Sequence, residues 1–315
     1  MNTWKIVFAG TPEFAVPSLR VVLSKGAKVP LVLTQPDRPV GRGRKLSPSP
    51  VKAEASSHGL NLLQPSKLRK ALIRQQKLDR PDLMIVVAYG MLLPEWFFNW
   101  PRLGTINVHA SLLPRWRGAS PIQHAILAGD KQTGVSIMQI DNGLDTGSVY
   151  GERSLSIGKN DNSGTLHQRL SGLGAELLDE LLPDIINGSI KPIPQDSSQA
   201  TLAPKIHKSD AVLDWTKSAE NLVCQVRAFN PWPVSESTTE DGKRLRIYDA
   251  AAINKESEAL PGSIVVTSKQ GIDVATGDGI LRITHLQPPG GKVMSASEYL
   301  NANSLKGSRF GLIWK

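Results

Sequence analysis

GTINVHASLLPRWRG, residues 104 to 118, decides the fold. Residues 104–108 form a short apolar, β-rich run that reads as a buried strand, and the two polar residues that end it, Asn107 and His109, are two positions apart. Successive strand side chains alternate between faces, so both project from the same one. Polar groups at the C-terminal end of a parallel strand look into the crevice where open α/β sheets bind ligands. The plain alternative is a hydrogen-bonded Asn beside a structural His, and spacing alone leaves both open.

Outward from this strand the same alternation repeats. WKIVFA, VPLVLTQ and DLMIVVA read as strands, interleaved with a helix opened by Pro17, a helix from Val51 and the helical SPIQHAILAG. Strands alternating with helices predict a doubly wound, Rossmann-like parallel sheet. GVSIMQI adds a strand, and SGTLHQRLSGLGAELLDELL adds a helix whose leucines at 166, 170, 173, 177 and 181 share a face for packing. Ser163 is the expected cap of that helix, with Pro183 and then Asn187-Gly188 marking its end.

Beyond it, SIKPIPQDSSQATLAPKIHK carries three prolines and no clear periodicity, so it reads as a linker or surface strap. Residues 243 to 285 then offer four short strands separated by glycine-containing turns, preceded by a helix around Cys224. This pattern predicts a small antiparallel, OB-like β-barrel. The expected division is residues 1–188, a linker at 189–206, and a second domain at 207–315.

With 315 residues, 40% hydrophobic and 21% charged, the chain is long enough for two globular domains. No stretch approaches the ~18 apolar residues of a membrane span, and the N-terminus lacks the apolar region of a secretory signal. A cytoplasmic protein without a membrane partner is expected. The single cysteine, Cys224, excludes an internal disulfide and a multi-thiolate metal site, and its helical setting suits a small core residue. His58, His124, His167, His207 and His285 lack paired ligand spacing, so no metal is expected.

The net charge of +9 suits a polyanionic partner, and residues 1–188 hold most of it, 22 Lys and Arg against 15 Asp and Glu. Residues 189–315 hold 15 against 13, with Lys243, Arg244 and Arg246 as the densest cluster. QPDRPVGRGRKLSPSP sets Arg38, Arg42, Arg44 and Lys45 against one acid, Asp37, in a loop that glycine and proline keep irregular. Its composition also fits a solvated loop without a partner. Placed after the second strand, it lies at the ligand-binding edge, where it could grip phosphates.

Two other motifs carry less. AGTPEF follows the first strand with one glycine where a dinucleotide fold needs three, so a nicotinamide cofactor is rejected. GVSIMQIDNGLDTG ends in a loop with Asp141 and Asp145 between glycines; the terminal Glu of a calcium loop is missing, and turn bonding explains either Asp taken alone.

Taken together, INVHASLLPRWRG and GVSIMQIDNGLDTG resemble the folate-dependent formyltransferases, whose catalytic triplet is an Asn-x-His with a later Asp. The resemblance implies that Asn107, His109 and Asp145 carry the reaction. It extends in order through TQPDRPVGRGRKLSPSPVK, IVVAYGMLLP, RAFNPWP and ATGDGILRITHLQPPGGKVMSA, nearly the whole chain, and is nearest the branch acting on methionyl-tRNA. It implies 10-formyltetrahydrofolate as formyl donor, charged initiator tRNA as acceptor, and a monomer. It also implies a folate wall from Ser111, Leu112, Leu113 and Pro114, with Met91 and Leu92 on the pterin side. The chemistry suits the residues, because formyl transfer passes through a tetrahedral oxyanion that the Asn107 amide and His109 could stabilise as donors. Asp145 is expected to orient the ring and to take a proton from the adduct through a water.

Two other readings keep the same fold. One is a formyltransferase of an amino-sugar nucleotide, or a hydrolase of formylfolate; the GRGRK loop argues against it. The other is a non-catalytic tRNA-binding protein, which an intact triplet argues against.

Overall fold

The computed structural model describes residues 3–40, 45–305 and 307–311, and the chain divides into two compact units. The first comprises residues 1–121, 132–156 and 167–203, the second residues 122–131, 157–166 and 204–315.

The first unit is built on a seven-stranded sheet. Its strands in chain order are β1 (Lys5–Gly10), β2 (Lys28–Leu33), β3 (Leu62–Leu63), β4 (Leu83–Val87), β5 (Thr105–His109), β6 (Gln132–Gln139) and β7 (Val149–Ser156). Across the sheet they lie in the order β7-β6-β5-β4-β1-β2-β3. The first five pair in parallel, as the alternation predicts. β6 and β7 run antiparallel to their neighbours, so the sheet is mixed at that end.

All five residues of β4 are buried, the uninterrupted apolar pattern of a parallel strand covered on both faces. The chain leaves β1 for β2 on one side and later fills β4 on the other, so the strand order reverses beside β1. The C-terminal ends of β1, β4 and β5 therefore border the crevice of such a switch point.

Three helices show how local sequence sets their limits. Helix α1 (Val16–Ser24) opens with Pro17 in its first turn, where a missing N–H costs nothing. Helix α2 (Pro50–Ser57) is capped by Ser49, whose hydroxyl accepts the Lys52 N–H at 3.1 Å. Helix α3 (Ser163–Asn187) corrects two expectations. Asn162 takes the capping role, its Oδ1 accepting the Thr165 N–H at 3.0 Å, while the Ser163 hydroxyl donates to the Asn230 carbonyl. Pro183 lies inside the helix, which runs on to Asn187 before Gly188 turns the chain at φ +73°.

Leu166, Leu170, Leu177 and Leu181 are buried, as their spacing predicts. Where α3 crosses β5, a Cβ on Gly174 would stand 2.8 Å from Val108 Cγ1. Glycine thus lets the helix close on the face of β5 that carries Val108. Asn107 and His109, alternating with Val108, take the opposite face.

The second unit holds an antiparallel sheet in the order β8-β9-β12-β11-β10, from β8 (Ser235–Thr238), β9 (Arg244–Ile253), β10 (Ile264–Ser268), β11 (Gly271–Ala275) and β12 (Ile280–Gln287). Helix α4 (Ala219–Ala228) contributes Leu222 and Val226 to a core shared with Trp215, Ile247, Val274 and Ile283. Cys224 lies on this helix, half-buried, and burial pushes its thiol pKa up.

Candidate active site

The site starts from β5. His109 is 5% exposed and Asn107 half-buried, side by side on one face at the strand's end. Among the described residues the Asn107 side-chain amide makes no hydrogen bond, so its donors and acceptor remain available. His109 Nε2 lies 3.0 Å from the Trp116 carbonyl. A carbonyl only accepts, so Nε2 holds a proton in this contact.

The two acids of the Asp141–Gly147 loop have separate tasks. Asp141 Oδ1 accepts the Gly143 N–H at 3.0 Å and the Thr146 hydroxyl at 2.6 Å, which closes the turn. Asp145 adopts φ +51° and places Oδ2 3.7 Å from His109 Nδ1. That separation is charge proximity rather than a hydrogen bond. The same oxygen accepts the Gly118 N–H at 2.8 Å. Gly118 has φ +129°, and a Cβ there would meet the Ala203 carbonyl oxygen at 2.6 Å, so only glycine brings this N–H to the carboxylate.

The remaining wall comes from the stretch expected as linker. Residues 193–203 lie along the site and bond to it repeatedly. Ile193 and Val149 exchange N–H···O bonds at 2.8 Å, and Leu202–Ala203 pairs in parallel with Arg117–Gly118. The Trp116 N–H donates to Thr201 Oγ1 at 2.9 Å. Gln195 Nε2 donates to the carbonyls of Asp145 and Gly147 at 2.9 and 2.7 Å. The buried Arg117 donates from Nε and Nη2 to Gln195 Oε1 at 3.0 and 2.8 Å. Sequence reasoning missed Gln195, Thr201 and Arg117, because contacts made 48 to 85 residues apart leave no local pattern.

The other expected residues are dispersed. Ser111 is buried and donates to the Arg115 carbonyl at 2.6 Å; Leu113 is buried, and Leu112 and Pro114 are half-buried. Met91 packs against the core beside β4, whereas Leu92 is 90% exposed. Arg38 is exposed, donates to Gln35 Oε1, and lines a cleft of about 350 Å³ with Thr11, Ser47, Ser49 and Gly90. Arg42 and Arg44 lie outside the described residues, as does the side chain of Lys45. In the second unit Lys243 pairs with Asp241 at 2.7 Å and Arg244 with Glu236 at 3.4 Å. No group of three or more His, Cys, Asp or Glu able to hold a metal occurs among the described residues, and no described helix is long and apolar enough to cross a membrane.

A switch-point crevice that presents Asn, His and Asp within one α/β unit, followed by a small antiparallel unit, defines a class. Residues 4–182 match the family described as Formyl transferase, and residues 205–304 match Formyl transferase, C-terminal domain. The chain belongs to the formyl transferase family. It is 54% identical over 98% of its length, and 99% of the relative's, to a Methionyl-tRNA formyltransferase of Methylococcus capsulatus. Among solved structures, the N-formyltransferase from Helicobacter canadensis in complex with folinic acid and dTDP-3-aminofucose superposes with a TM-score of 0.68 at 19% identity, covering 89% of this chain and 99% of that one. HypX from Aquifex aeolicus in complex with tetrahydrofolic acid gives 0.61 at 18%, covering 95% of this chain, which spans 47% of HypX. These two likenesses establish the fold.

Proposed function

We propose that this chain transfers the formyl group of 10-formyltetrahydrofolate to the α-amino group of methionyl initiator tRNA, giving N-formylmethionyl-tRNA. The observation that carries this reading is the 54% identity to a Methionyl-tRNA formyltransferase over nearly the full length of both chains. The joint placement of Asn107, His109 and Asp145 supports it.

In this mechanism the neutral amine attacks the formyl carbon, and the carbonyl oxygen becomes an oxyanion. Asn107, whose amide is uncommitted, donates to that oxygen. His109 supplies a second N–H, which exchanges its Trp116 carbonyl partner for the developing charge. Once the amine's surplus proton has passed through a water toward Asp145, collapse of the adduct breaks the bond from carbon to the folate nitrogen, whose electron pair takes up that proton by the same water. A free α-amino group titrates at roughly 7.7 to 8.0, so attack needs no strong base near neutral pH.

Ser111 to Pro114 and Met91–Leu92 wall the folate in this reading, while Arg38, Arg42, Arg44 and Lys45 contact tRNA phosphates. Residues 1–188 carry the chemistry, and 207–315, beyond the 189–206 strap, help hold the tRNA. The protein works as a cytoplasmic monomer. The test is formylation of methionyl-initiator tRNA against methionyl-elongator tRNA and free methionine, with 10-formyltetrahydrofolate supplied. Preference for the initiator by orders of magnitude is expected. Equal formylation of free methionine, or formyl release to water without any acceptor dependence, overturns the reading.

A further inference from the structure

We propose that Gln195 is a positioning residue for formyl transfer, oriented by the buried Arg117 so that its two amide N–H bonds set the backbone of the Asp145 loop. The proposal rests on the role given to Asp145 above.

Arg117 is 6% exposed, and no carboxylate pairs with it among the described residues. Its fork meets Gln195 Oε1 through Nε and Nη2 at 3.0 and 2.8 Å, and Nη2 also reaches Ser197 Oγ at 3.3 Å. A guanidinium only donates, so it fixes which end of the Gln195 amide faces it. The NH2 end is thereby aimed at the loop, where one N–H goes to the Asp145 carbonyl and the other to the Gly147 carbonyl. All hydrogen-bonding capacity of the NH2 group is used, and no alternative flip satisfies both sides.

The consequence falls on Asp145. Its φ of +51° is uncommon outside glycine, and Asp, which adopts it more readily than most residues, is held there by the bonds around it. That conformation brings Oδ2 to the Gly118 N–H at 2.8 Å and to 3.7 Å from His109 Nδ1. Gln195 grips the carbonyls on either side of Thr146 and so fixes the carboxylate without touching it. Gly147 reinforces the loop, because a Cβ there would collide with the Gln139 carbonyl oxygen at 1.9 Å.

Two substitutions separate positioning from general support. Gln195→Glu keeps size and gains charge attraction to Arg117, yet turns acceptor oxygen on two carbonyls. Gln195→Met keeps size and loses every bond. Each is measured for kcat, for KM of folate and of charged tRNA, and for thermal midpoint, alone and combined with Asp145→Asn. Both should lower kcat roughly 10- to 100-fold, the scale of a sub-ångström to ångström misplacement, with folate KM within about twofold. In the Asp145→Asn background the same substitutions should cost little further, because the group they position is already disabled. Wild-type kcat in either folded variant overturns the proposal, and so does an undiminished loss on top of Asp145→Asn. Gln195→Glu, which retains the Arg117 contact, keeps the test decisive if Gln195→Met does not fold. Full kcat in Asp145→Asn alone overturns the reading of Asp145 and this proposal with it, whereas an impaired Asp145→Asn beside an unimpaired Gln195→Glu overturns only the proposal.

Discussion

The end of β5 and the strap at residues 193–203 serve the same carboxylate loop by opposite means. On β5 the groups proposed to act are passengers on regular structure: Asn107 and His109 occupy one face, and Val108 on the other holds the strand against α3. On the strap the side chains and backbone are themselves the scaffold. Gln195, Thr201 and Ala203 bond to Asp145, Trp116 and Ser120, and the regular structure beside them is short, a two-residue parallel ladder of Leu202–Ala203 on Arg117–Gly118. The difference teaches where function and stability separate. A strand tolerates loss of its polar end groups because ladder bonds and apolar packing remain, while a strap loses geometry with each bond removed.

The largest expected effect breaks chemistry alone. Asn107→Ala and His109→Ala should each lower kcat by about 10²- to 10³-fold, the usual cost of one oxyanion donor, with a near-native circular dichroism spectrum. Turnover close to wild type in either would remove that residue from the mechanism.

Gly118→Ala should damage both regions together. The added Cβ forces the strap away from a 2.6 Å approach at a left-handed φ, costing about 1–3 kcal/mol in denaturant unfolding and displacing the N–H that Asp145 accepts. A stable variant with intact kcat would mean the strap yields freely, and the contrast drawn between the two regions would fail.

Thr201→Val removes one acceptor and keeps the shape. Loss of that hydrogen bond should cost on the order of 1 kcal/mol in stability, with a smaller loss of kcat than any change on β5. A kcat loss equal to that of His109→Ala would place the strap's contribution in the chemistry itself.

The smallest effect lies away from the site, at the start of α3. Burial against Phe14 pushes the His167 imidazole below its usual value of 6.5. The unfolded chain therefore binds a proton there that the folded chain refuses, so this group lowers stability as pH falls below about 6.5. His167→Gln should flatten the fall in thermal midpoint across that window. An unchanged pH slope would assign the acid sensitivity to other groups.

The sequence by itself determined a good deal of this protein. Alternating apolar runs and Pro-opened helices specified the doubly wound first unit and the antiparallel second one, since burial acts on residues two or three to four apart and leaves a period that can be read. The i, i+2 spacing put Asn107 and His109 on one face, and resemblance drew attention to Asp145. Spacing could not distinguish the turn-forming Asp141 from the presented Asp145, because both stand among glycines; the left-handed backbone at 145 and the Gly118 N–H decided it. Nor could it show that β6 reverses, that the Asn230 carbonyl takes the Ser163 hydroxyl and leaves the capping of α3 to Asn162, or that a proline-rich stretch expected as linker walls the site. Those depend on which distant backbone groups find partners once the sheet is formed. Arg117 is the plainest case: in sequence it is one of two arginines in PRWRG, and only the folded chain buries it and gives its fork to Gln195, 78 residues away.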